Sequence, residues 1–147
     1  MQPDLNLFAV SATNLGGAAG LIATILVQYN DGTSQTYVTD SSWKTFLGNP
    51  PAGFQEIGTD DTAWPQAVAQ GPVSTSPWDG FTSIPPALDI TQSHWIWTSE
   101  ATSPGAAVPP GTRAFRKTIV SPPGKCAVCA QAIVTVSVAF SAYLLHR

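Results

Sequence analysis

Residues 21–39 read Leu-Ile-Ala-Thr-Ile-Leu-Val-Gln-Tyr-Asn-Asp-Gly-Thr-Ser-Gln-Thr-Tyr-Val-Thr, and this stretch decides the fold class. Leu21, Ala23, Ile25, Val27 and Tyr29 fall on one face and Thr24 and Gln28 on the other, the period of two that marks a β-strand. Asn30-Asp31-Gly32-Thr33 then reads as a hairpin turn, because Asn or Asp followed by Gly supplies the positive φ angles of a tight connection. Ser34 to Thr39 is the returning strand.

The neighbouring sequence extends the same pattern. Leu5 to Thr13 reads as a buried strand with Leu5, Leu7 and Ala9 on one side and Phe8 and Val10 on the other, broken by Gly16-Gly17. Ser41 to Pro110 is mostly irregular. Pro50-Pro51, Pro85-Pro86 and Pro109-Pro110 pin extended stretches there, and groups such as Val68-Ala69 and Phe81 form only brief strands. His94 to Thr98 is a compact strand whose Trp95 and Trp97 share a face. Arg113 to Val120 alternates Ala114, Arg116 and Thr118 against Phe115, Lys117 and Ile119, so it reads as half-buried. Cys126 to Leu145 supplies one or two final strands. Many short strands with proline-rich connections predict an all-β protein, an antiparallel β-sandwich.

Composition narrows the classes. A chain of 147 residues suits one domain with a single core. Charged residues are 10% of the total, against roughly 25% in an average soluble protein. The surface is therefore expected to be built from Ser, Thr, Asn, Gln and backbone, a composition common among extracellular β-proteins. A formal charge of −3 and a pI near 5.0 give no basic footprint, which sets nucleic acid aside as a partner. Met1-Gln2-Pro3-Asp4 has no cationic start or apolar stretch of a leader. Residues 127–145 are nearly uncharged, but Thr135 and Ser137 alternate with Val134, Val136 and Val138 at strand period, so a membrane span is not expected.

Cys126 and Cys129 form one C-x-x-C. A structural zinc site needs four ligands, and His94 and His146 are isolated. On a regular strand, positions three apart face opposite sides and cannot bond to each other. Small buried or loop residues are the expectation, with no metal or redox role.

The five tryptophans carry the functional reading. Trp43 and Trp64 each follow an Asx/Ser turn and are expected to pack over a loop base, and Trp95 and Trp97 to lie in the core. Trp78, in Ser76-Pro77-Trp78-Asp79-Gly80, is flanked by turn formers and is the best placed to meet a ligand. Sugar recognition needs an aromatic platform for C–H faces and a few polar groups for hydroxyls. Trp78 with Asp79, and His94 beside Trp95, are the nearest local pairings of that kind. Arg113 offers a fork of donors at the end of its strand. A catalytic carboxylate pair would have to come from Asp40, Glu56, Asp60, Asp61, Asp79 and Glu100. Adjacent Asp60 and Asp61 fit turn hydrogen bonds better, and the chain has no G-x-S-x-G, H-E-x-x-H or glycine-rich phosphate loop. The expectation is binding without catalysis.

Three stretches together carry a resemblance. Thr39-Asp40-Ser41-Ser42-Trp43-Lys44 with Pro51-Ala52-Gly53-Phe54 and Thr59-Asp60-Asp61-Thr62-Ala63-Trp64-Pro65, Trp95-Ile96-Trp97-Thr98 with Gly111-Thr112-Arg113-Ala114-Phe115-Arg116-Lys117, and Leu5-Asn6-Leu7-Phe8-Ala9-Val10 resemble galactose-binding-like β-sandwich (jelly-roll) domains. Such domains occur in fungal secreted proteins and beside α-L-rhamnosidase catalytic domains. The halves stand in reversed order, and Ile133 to Leu145 matches the family's hairpin only partly. The resemblance therefore implies either one circularly permuted sandwich over 1–147 or the C-terminal part of one domain (1–90) followed by the N-terminal part of the next (91–147).

What the resemblance implies is a secreted, non-catalytic, lectin-like module that takes a glycan or polysaccharide without a cofactor, a structural calcium ion being left open. The alternative is a structural accessory domain that packs on a partner or forms homo-oligomers through exposed strand edges.

Overall fold

A computed structural model describes residues 5–79, 88–137 and 139–146. The first four residues, Gly80, Phe81, the Pro85-Pro86 pair, Val138 and Arg147 lie outside the described residues. Eleven strands run in chain order: β1 Leu5–Asn14, β2 Gly17–Ala18, β3 Leu21–Tyr29, β4 Ser34–Val38, β5 Lys44–Phe46, β6 Val68–Pro72, β7 His94–Trp97, β8 Ala107–Val108, β9 Gly111–Val120, β10 Ala127–Val136 and β11 Ala139–His146. No helix occurs among the described residues.

The strands form an antiparallel sandwich. One sheet has the order β11-β1-β9-β5, the other β10-β3-β7-β6 with β4 also on β3, and β2 pairs β8. β1 is the spine of the first sheet, running from Leu5↔Val120 to Asn14↔Gly111 against β9 and from Asn6↔His146 to Thr13↔Ala139 against β11. The opening hairpin is real, with Thr24↔Val38 to Gln28↔Ser34 in register. Its turn differs in detail from the expectation: only Gly32 takes a positive φ (83°), while Asp31 Oδ1 accepts the Thr33 N–H at 3.0 Å and closes the loop. One left-handed residue suffices because the connection spans four residues instead of two.

The core lies between the sheets. Phe8, Val10 and Ala12 of β1, with Phe115 and Ile119 of β9, meet Leu21, Ala23, Ile25, Val27 and Tyr29 of β3. Trp43 belongs here and not over a loop base: it is fully buried, edge-on to Phe8 at 6.0 Å, and its Nε1 donates to Val38 O at 2.9 Å.

Both outer faces are covered as well, by the two long irregular segments. Residues 47–66 lay Phe54 and Trp64 over Leu7, Ala9 and Ala114 on the first sheet. Residues 73–79 and 88–93 lay Val73, Trp78 and Ile90 over Ile22 and Trp95 on the second. This explains why β1 is apolar on both sides. It also corrects two expectations. Arg113 to Arg116 is buried on both faces, since Ala114 and Arg116 lie beneath the first covering segment, and only Lys117 to Val120 is half-buried, with Thr118 and Val120 exposed beside buried Ile119. Trp95 and Trp97 do not share a face: Trp95 joins the outer cluster, whereas Trp97 lies in the central core against Phe115 at 5.2 Å.

Cys126, in the loop before β10, and Cys129, on β10, form no disulfide and are exposed, not buried. The β10–β3 register shifts between Ala127 and Cys129, so simple two-residue alternation fails across the pair.

Candidate functional site

The covering stretches 73–79 and 88–93 carry local turns. The Thr75 N–H donates to Pro72 O and the Trp78 N–H to Thr75 O, both at 2.9 Å. In the second stretch Asp89 Oδ1 accepts both the N–H (2.8 Å) and the hydroxyl (2.6 Å) of Thr91. These turns set the Trp78 indole on Trp95, with ring centroids 4.9 Å apart and planes 27° from parallel. Trp95 is buried, and its Nε1 donates to Val73 O at 3.3 Å. Trp78 itself is half-buried and keeps part of its ring open.

Gly20, which the sequence reading passed over, makes this stack fit. A Cβ there would lie 2.8 Å from Trp95 Cε3 and 3.0 Å from Trp78 Cζ2, closer than side chains approach.

Asp79 is exposed, and no hydrogen bond or ion pair joins it to another described residue. The other carboxylates behave differently. Asp31, Asp40, Asp60 and Asp89 each accept the N–H of a Ser or Thr two residues on, at 2.8–3.0 Å, together with its hydroxyl. These bonds hold the carboxyls of Asp60 and Asp89 below the ordinary range, and at Asp31 the Lys125 ammonium, 2.8 Å from Oδ2, lowers the carboxyl first and the Thr33 bonds second. Asp61 pairs with Arg116, and Glu100 with Arg113. Among the described acids, Asp79 and Glu56 alone are left without such a partner. The Asp-x-Ser/Thr spacing at all four turns could have sorted these residues from sequence.

The remaining candidates lie apart. His94 is exposed at the start of β7, where its backbone exchanges bonds with Thr39 (His94 N–H to Thr39 O, 2.9 Å; Thr39 hydroxyl to His94 O, 2.7 Å). No hydrogen bond or ion pair joins its ring to another described residue. Arg113, on β9 of the other sheet, is buried and bidentate to Glu100, Nε to Oε2 at 2.7 Å and Nη2 to Oε1 at 2.8 Å. The guanidinium lowers the Glu100 pKa and is itself raised by the carboxylate. The fork is thus engaged internally. The structure brings together Trp78, Trp95 and, through chain continuity, Asp79.

No cluster of three His, Cys, Asp or Glu side chains able to hold a metal occurs among the described residues. No helix among them is long and apolar enough to cross a membrane.

Fold and site define an antiparallel β-sandwich with a tryptophan-bearing segment laid over one outer face. An α-L-rhamnosidase of Streptomyces avermitilis is 34% identical to the chain over 74 residues, a stretch that covers 50% of this chain and 7% of that protein. This relative is bacterial, whereas the resemblance pointed toward fungal proteins. No family model matches the chain, and no solved structure matches it.

Proposed function

We propose that this protein is a secreted, non-catalytic carbohydrate-binding module of the galactose-binding-like kind, and that Trp78 and Asp79 form its sugar contact. The observation that carries the reading is a partly buried indole braced from behind by Trp95, beside a carboxylate that no other described residue engages. A ring held in this way offers its apolar surface to the C–H face of a pyranose at little entropic cost, and an unengaged carboxylate accepts hydrogen bonds from hydroxyls. The partial similarity to an α-L-rhamnosidase supports an accessory role beside sugar chemistry. Engagement of six other acids in turns and ion pairs supports binding over catalysis.

Tryptophan fluorescence tests the site directly. Trp43, Trp64, Trp95 and Trp97 are all at most 8% exposed, so a saccharide that changes emission reports chiefly on Trp78. Titration with L-rhamnose, D-galactose and polysaccharides containing them should give saturable quenching. Trp78→Ala should abolish it and Asp79→Asn should weaken it. No response to any saccharide, or a response that persists in folded Trp78→Ala, would overturn the assignment.

A further inference from the structure

The sandwich carries two kinds of edge. β4, β5 and β6 are only five, three and five residues long. β4 exposes Ser34, Gln35 and Thr36, β5 begins with Lys44, and β6 contains a register shift and ends at Pro72. Short length, lysine, proline and bulges are the means by which sheets avoid pairing with strangers.

β10 and β11 are built otherwise. They are ten and eight residues long, each with one strand partner, and from Cys126 to Leu145 the sequence contains no Asp, Glu, Lys, Arg, Pro or Gly. The register shift near Val128 at the start of β10 is the one interruption. The two edges lie on the same side of the sandwich, where an apolar cleft of ≈ 170 Å³ opens between Ala127, Val128 and Ala130 of β10 and Leu144 of β11. Phe140 stands opposite Ala12 and Leu144 opposite Phe8, in register with two core residues. Yet Phe140 is 46% exposed, Leu144 49% and Val128 63%. Side chains in register with the core are uncovered on this side.

We propose that a second copy of this chain covers it, related by a two-fold axis perpendicular to the layers. β10 and β11 then each pair antiparallel with their own counterparts, and both sheets run on across the dimer. Charge singles out this occupant. Across a two-fold axis residue i meets residue j and j meets i, so a single ionised side chain anywhere on the run would be buried twice, each time opposite an uncharged neighbour. A charge-free run of this length meets that demand, whereas it offers nothing to select a charged partner. The area is also adequate: two strands about 30 Å long in layers about 10 Å apart present on the order of 600 Å² per copy, at the low end of stable interfaces.

Light scattering on the eluting full chain, over a roughly hundred-fold range of concentration, tests the pairing. The expected mass is twice 15.4 kDa. Val128→Lys and Leu144→Lys should each halve it with far-UV circular dichroism unchanged. Should Leu144→Lys fail to fold, the more exposed Val128→Lys decides alone. A monomer throughout, an open-ended series of larger species, or a dimer that survives in the folded variants would each overturn the proposal.

Discussion

Arg116 Nε donates to Asp61 Oδ2 at 2.8 Å across 55 residues of sequence, tying the segment over the first sheet to the middle of β9. The same guanidinium donates to the carbonyls of Phe54, Glu56 (3.1 Å) and Thr59 (3.3 Å), and lies 5.8 Å from the Trp64 ring centre. One buried cation thus organises a segment that has almost no regular structure of its own.

Replacing it should therefore cost far more than a surface ion pair. Arg116→Met keeps the bulk but leaves Asp61 and three carbonyls without their donor, and the expected loss is about 3–5 kcal/mol. Urea unfolding measures it, and limited proteolysis should show new cuts within 47–66. A loss below about 1 kcal/mol, the value of an exposed pair, would show that the segment is held by Phe54 and Trp64 instead.

Acid should unfold the protein by way of its turns. The carboxyls of Asp31, Asp60, Asp89 and Glu100 all sit below their ordinary pKa. A lowered folded-state pKa adds stability that is fully present above the ordinary carboxylate value of about 4 and is lost as pH falls through the lowered one. The melting temperature should hold steady from neutral pH down to about 5 and fall below it. Glu100→Gln should reduce stability at neutral pH and flatten the acid slope. A melting temperature that rises on acidification would contradict the assignment.

Gly20→Ala tests the paired indoles. The added methyl meets both Trp95 and Trp78, so one ring must move. The expected cost is about 1–3 kcal/mol, with an altered near-UV circular dichroism signal. An unchanged spectrum would mean that the rings are not stacked over this glycine.

Cys126 and Cys129 are exposed and form no disulfide. Both should react with a thiol reagent in the folded Val128→Lys variant, which leaves the β10 edge uncovered, giving two thiols per chain without denaturant. A count of two only after unfolding would place them in the interior.

The hairpin at Asn30–Thr33 and the strands read over 5–13, 21–29 and 113–120 were legible in the sequence, whereas the chain's end read as one or two strands and only the structure divides it into β10 and β11. Each rests on a neighbour-to-neighbour rule: alternation fixes which residues share a face, and Asn-Asp-Gly marks where the chain reverses. Trp78 also stood out locally, through the turn formers around it. Gly20 did not, because its importance comes from two rings contributed by positions 78 and 95.

By itself, the order of residues determined that this chain is all-β, since a period of two is a property of adjacent side chains and needs no distant partner. Tertiary structure alone decided that β1 pairs with both β9 and β11, and that Trp95 and Trp97 part to different clusters. It also decided that Arg113 and Arg116 serve Glu100 and Asp61. The reason is physical. Alternation says which side chains share a face but not what covers that face, and here the covering comes from segments far away along the chain.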